Sequence, residues 1–226
     1  MEPRRRLLKA LAAAGLFGPA GISTLIRDAL AKGDAPLASG LQKLRGQVTV
    51  NSKPAREGQR IGAGDTVVTG RDSEAIYVIG QDAFLQRENS TISFGADAAQ
   101  NLLRVVTGKL LSVFGKGARS IQVSTATVGI RGTGCYIEDE GSGVTARTYF
   151  CLCYGSVELT PGAAPQEAET YSTKHHDKPM YIYNDVRMPK LMVPAGVINH
   201  TDAELKLLES LVGRWPPFYG KGGAKY

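Results

Sequence analysis

From about residue 41 the chain breaks into short β-favouring runs, each bounded by a turn that carries glycine, at intervals of about ten residues. The runs are 47–50, 66–69, 75–79, 91–94, 103–106, 109–114, 121–123, 134–138, 147–154 and 156–159. Connections this short leave no room for the helix of a βαβ crossover. The spacing therefore predicts an all-β fold, a rolled or solenoid-like domain of short strands, with a β-sandwich as the alternative. The 27 glycines are spread along the chain rather than pooled, as many tight turns require. With 42% hydrophobic residues the chain holds enough apolar surface for a core, which excludes wholesale disorder. No run reaches the roughly 20 apolar residues of a membrane-spanning helix.

Beyond these runs, residues 160–170 read as a loop and 180–183 as a further extended stretch. One helix is expected near the C-terminus. Thr201-Asp202-Ala203-Glu204 is a capping box, Leu205, Leu207, Leu208 and Leu211 form an apolar stripe, and Gly213 closes the helix before Pro216 and Pro217.

The N-terminus reads as an address. Arg4 and Arg5, then Leu7, Leu8 and Lys9, resemble a twin-arginine export signal, with Pro3 and Leu7 departing from its usual hydroxyl and Phe positions. Gly15, Gly18, Pro19 and Gly21 weaken any stable helix there. Ala29-Leu30-Ala31 offers the small side chains that a signal peptidase pocket admits, so cleavage is expected after Ala31 and the mature chain is expected in the periplasm. Residues 1–31 hold five basic and two acidic side chains, half of the chain's net charge of +6. The remaining basic residues are scattered among acids, without the stripe and interleaved aromatics of a nucleic-acid surface. Nucleic acid is therefore excluded as a partner, and no membrane span is expected in the mature chain.

The stretch 41–159 carries several separated motifs: Arg45-Gly46-Gln47-Val48-Thr49-Val50, Gly64-Asp65-Thr66-Val67-Val68-Thr69-Gly70, Ser73-Glu74-Ala75, Ser124 to Thr133, and Tyr154-Gly155-Ser156-Val157-Glu158-Leu159. Together they resemble the FecR-type periplasmic domain family, and the string Val128 to Thr133, with Arg131, Gly132 and Thr133, is the most specific. The resemblance implies an all-β module that sits outside the inner membrane and takes part in envelope signalling. Members of the family that regulate sigma factors place a cytoplasmic helical domain and a membrane helix before this part. Here an export signal stands there instead, which points to a stand-alone module. The domain division is then 1–31 signal, 41–159 FecR-like domain and 160–226 C-terminal extension. The expected function is non-catalytic binding of a periplasmic protein, a glycan or a small ligand.

On their own terms Gly129, Gly132 and Gly134 read as a turn scaffold between two strands. Their spacing and the strand that follows do not suit dinucleotide binding. Glu138, Asp139 and Glu140, before Gly141-Ser142-Gly143, read as a solvated hairpin tip. No nucleophile elbow, His-Glu-x-x-His or P-loop is present. What remains is a set of soft donors. Cys151 and Cys153, two apart on one strand, share a face; Cys135 comes from the preceding strand, and His175-His176-Asp177 lies beyond the 160–170 loop. Cys135, Cys151, Cys153 and either His175 or His176 would make a thiolate–imidazole site for zinc or copper(I), with Asp177 behind the imidazole. A disulfide from Cys135 to Cys151 or Cys153, and plain core thiols, are the competing readings.

The export reading has a direct test. Replacing Arg4 and Arg5 together by Lys is expected to leave the chain in the cytoplasm, whereas periplasmic protein whose mass begins at Met1 removes the cleavage site after Ala31.

Overall fold

The computed structural model describes residues 35–96 and 102–219, so the expected export signal and its cleavage point lie outside the described residues. Among these residues fourteen strands form one open sheet: β1 (Gly40–Arg45), β2 (Val48–Val50), β3 (Lys53–Pro54), β4 (Thr66–Thr69), β5 (Glu74–Ile79), β6 (Asp82–Gln86), β7 (Ser90–Phe94), β8 (Leu102–Val113), β9 (Ala118–Gln122), β10 (Ala126–Glu140), β11 (Arg147–Pro161), β12 (Glu169–Thr173), β13 (Met180–Tyr183) and β14 (Met192–Pro194). Among the described residues one α-helix, α1 (Asp202–Leu211), follows them. The all-β class with a C-terminal helix is what the residue pattern predicted.

Three long strands organise the sheet, and each changes neighbours along its length. The first half of β8 pairs with β7 and, in parallel, with β9; its second half pairs with β6 and β10. β10 lies beside β9 and then beside β8. β11 follows β10 throughout, with β13 against its start and β12 against its end. One continuous sheet thus rolls into two layers that share these strands. The changeovers are built on left-handed glycines. Gly108 has φ +94°, and a Cβ there would lie 2.5 Å from the Ser90 Cα. Gly132 has φ +60° and sits at a bulge between Arg131 and Gly134, where the register of β10 against β11 slips. A bulge increases twist and bends its strand, which suits the point of partner exchange. The motif at 131–133 is therefore an irregularity inside one strand, not a turn between two.

Side chains alternate across the sheet. The inner set, with Val67, Tyr77, Phe84, Ile92, Leu110, Ile121, Val128, Cys135, Ile137, Phe150 and Leu152, fills the space between the layers. The outer face of one layer is also apolar, with Ile76, Val78, Leu85, Leu111, Val113, Tyr136, Tyr149, Cys151 and Cys153. Helix α1 covers this face with Leu205, Leu207, Leu208 and Leu211. Each such side chain contributes roughly 1.5–3 kcal/mol on burial. Its N-terminus carries the expected reciprocal cap, with the Thr201 hydroxyl accepting from the Glu204 amide and the Glu204 carboxylate accepting from the Thr201 amide. Glu204 also pairs with Arg87 at 2.7 Å, tying the helix to the sheet.

Two expectations are corrected. The runs 103–106 and 109–114 belong to one strand, as do 147–154 and 156–159, while β1, β3, β6, β12 and β14 lie outside the expected runs. Glu138 and Asp139 are not at a solvated tip. They lie inside β10, where Asp139 accepts hydrogen bonds from Ser124 and Thr148, and Glu138 accepts from Tyr136 and Asn199. Burial raises the Asp139 carboxyl, and these hydrogen bonds oppose the rise.

Leu208→Ala is expected to cost about 2–5 kcal/mol in chemical denaturation, as buried leucines do. Thr201→Ala should cost about 1 kcal/mol through the lost cap. Equal and small effects of both would mean that α1 is not part of the cooperative fold.

Candidate metal centre

Strand β11 brings the site its first two donors. Phe150 and Leu152 point inward, so Tyr149, Cys151 and Cys153 point to the outer face, where all three are buried beneath the C-terminal segment. The loop between β12 and β13 supplies His176. Its amide donates to the Cys153 carbonyl at 3.0 Å, which fixes the residue over the strand. Its backbone is left-handed at φ 53°, a conformation uncommon for side chains other than glycine and concentrated at functional positions. The fourth donor is His200, immediately before the cap of α1 and after the left-handed Asn199. Its ring stacks on Tyr136 with centroids 4.6 Å apart.

The donor atoms of Cys151, Cys153, His176 and His200 all lie within 4.8 Å of one another, and all four residues are buried. His176 Nδ1 is 3.3 Å from Cys151 Sγ and 3.1 Å from His200 Nε2. Ordinary zinc bond lengths in a tetrahedron set about 3.3 Å between two nitrogens and about 3.6 Å between nitrogen and sulfur. The two imidazole-centred separations match these within a few tenths of an ångström.

Hydrogen bonds also orient the rings. His200 Nδ1 donates to the Ile198 carbonyl at 2.6 Å, so its Nε2 presents a lone pair inward when the ring is neutral. His176 Nε2 faces Asp202 Oδ1 at 3.3 Å, which turns its Nδ1 lone pair toward Cys151 and His200. Two lone pairs aimed at each other are favourable only with a cation or a proton between them.

The protons of the metal-free centre follow its electrostatics. A hydrogen bond from Cys153, and then the two imidazoles, hold the Cys151 thiol far below its ordinary range despite burial. Burial pushes Cys153 well upward. His176 rises to about 9, because Asp202 and Cys151 outweigh the burial that disfavours its charge. These directions favour a proton held between Cys151 and His176, and a metal ion would take its place and that of the proton on Cys153.

The sequence-derived set is brought together in part. Cys151, Cys153 and His176 meet. Cys135 does not join them: it stands opposite Leu152 on the inner face, with its sulfur 3.4 Å from Ser112 Oγ and its thiol pushed up to about 12 by burial. The same opposition of faces removes the Cys135 disulfide readings, since the side chains diverge. His175 is one step out, with Nε2 2.8 and 2.9 Å from the two oxygens of Asp202. Asp177 is not the carboxylate behind the imidazole; it accepts from the Lys174 and His175 amides and shapes the loop. Asp202 takes that place. The sequence reading missed His200 and Asp202 because they lie far along the chain. The available signal was arithmetic, since all three histidines and two of the three cysteines gather at this one place. Arg131 lies apart and exposed. An apolar cavity of about 150 Å³ lined by Phe84, Phe94, Phe114 and Leu103 is separate and carries none of these donors.

No protein-family model and no curated protein matches the chain. Among solved structures, it is similar to two crystal structures of a candidate anti-sigma factor from Parabacteroides distasonis, with TM-scores of 0.47 and 0.46 and 7% identity. Each match covers 58% of this chain and 59% of the other, so the shared part is little more than half of either protein. Among the described residues, no helix is long and apolar enough to cross a membrane.

Proposed function

We propose that the chain is a non-catalytic, FecR-like β module of the cell envelope, exported to the periplasm, whose working element is a closed metal centre of Cys151, Cys153, His176 and His200. The observation that carries this reading is the convergence of four buried soft donors whose ring tautomers are set by Ile198 and Asp202. Four protein donors complete a tetrahedral shell and leave no position for water or substrate, which supports a structural or sensing role rather than turnover. Charge selects the ion. Two thiolates and two neutral imidazoles around a divalent cation are neutral overall, whereas copper(I) would leave a net negative charge buried. Zinc therefore fits better than copper(I). The separated motifs between Arg45 and Leu159 support the envelope assignment, and a module of this kind acts by binding.

Protein purified without a histidine tag is expected to contain about one equivalent of zinc. Cys151→Ser, Cys153→Ser and His200→Ala should each lose it, while Cys135→Ser keeps it. Chelation should lower the thermal midpoint of the native protein but not of Cys151→Ser. A metal content below roughly a tenth of an equivalent in the native protein, even after incubation with zinc, overturns the reading.

A further inference from the structure

The inner centre needs a way in. Cys151, Cys153, His176 and His200 are all buried, with the sheet beneath them and the C-terminal segment above. On one side, however, the donors continue outward. His175, His176 and Asp202 bring their own ligand atoms within 4.8 Å of one another. Side-chain exposure rises along this series from 0% at His176 through 14% at Asp202 to 21% at His175. His176 belongs to both groups: its Nδ1 faces Cys151, and its Nε2 faces Asp202, each at 3.3 Å. Its two ring nitrogens therefore lie one at each group, Nδ1 at the inner centre and Nε2 against the Asp202 carboxylate. The outer ring is held in place by packing, with His175 4.4 Å from the Phe218 ring centroid and 4.9 Å from that of His176.

We propose that His175 and Asp202 form an outer capture site for a divalent cation, which passes inward across His176 to the sulfurs of Cys151 and Cys153. This rests on the reading of the inner cluster as a metal centre. The passage is ligand exchange without change of oxidation state. Bonds from the ion to His175 nitrogen and an Asp202 oxygen break as bonds to the two sulfurs, His176 Nδ1 and His200 Nε2 form. Two protons leave to solvent, the one shared by Cys151 and His176 and the one on Cys153, while the proton that His175 Nε2 shares with Asp202 leaves on capture and returns when the ion moves inward. Asp202 gives the mouth its negative charge, and His175 gives the incoming ion its first nitrogen ligand. His175 is not needed once the ion is seated, so it governs rate rather than capacity, whereas Asp202 also orients His176 in the filled centre.

The test follows cobalt(II) uptake by the metal-free full-length protein in stopped flow, read by the sulfur-to-cobalt charge-transfer absorption that only the inner centre gives. His175→Ala and His175→Gln are expected to reach the native amplitude about tenfold more slowly, within the range by which a charged, focused mouth speeds association. Added salt should slow the native protein, and slow Asp202→Asn much less. Uptake by both His175 variants at the native rate overturns the relay while leaving the inner centre standing. A reduced final amplitude in both variants, with native circular dichroism, also overturns it, because His175 would then belong to the inner shell. Absence of the sulfur–cobalt band in the native protein removes the centre itself, and the relay with it.

Discussion

The structure depends on one constraint: the middle of β11 is buried on both faces. Phe150 and Leu152 close the space between the two layers, and Tyr149, Cys151 and Cys153 lie under the C-terminal segment. A sheet with one wet face needs only alternate apolar residues, but this one needs a second cover. The C-terminal segment meets that need, and in doing so it lays His200 and Asp202 against the strand. The cover and the centre are therefore one arrangement. Thiols suit the outer positions because they are small enough to sit beneath imidazole rings and apolar enough to tolerate burial.

Polar contacts set the position of this cover. Arg87 joins Glu204 and the Asn199 carbonyl, Asn199 reaches Glu138, and Tyr149 donates to the Gly196 carbonyl. At the other end of α1, Glu209 joins Tyr154 and Arg214. Apolar packing alone would permit the helix to slide along the sheet. Hydrogen bonds to buried or half-buried partners define one register, because a shift would leave several of them unpaired. The centre depends on that register, since His200 precedes the first turn.

Much of the fold was legible, and the limits have physical causes. Strands β4, β5, β7 and β13 appear at nearly their sequence-derived bounds because their β-branched and aromatic residues alternate between well-defined turns. The capping box predicted α1 because its signal is local. The long strands were cut short because Gly108, Gly132 and Gly155 look like turns, although here they bend strands without ending them. β12 and β14 form through pairing with β11 and β13, and pairing across distance leaves little trace in local composition. The same distinction governs the centre. The shared face of Cys151 and Cys153 follows from the period of a strand and was legible. The face of Cys135 depended on the register of β10 against β11, which the bulge at 131–134 shifts. A slip of one residue reverses the face on which a side chain lies.

The position of His200 has a consequence for the order of assembly. Three donors are complete once the chain has passed residue 176, but the fourth is made together with the segment that seals them. During synthesis, two thiols and one imidazole must wait on an uncovered sheet face until residues near 200 emerge. An ion held in that interval would still have an open coordination position facing solvent. If the four donors hold a metal ion, its final binding is therefore simultaneous with closure of the domain over Cys151 and Cys153. A truncation before residue 200 would expose a three-donor site of a different chemical kind, open to water and to exchange, on an apolar face.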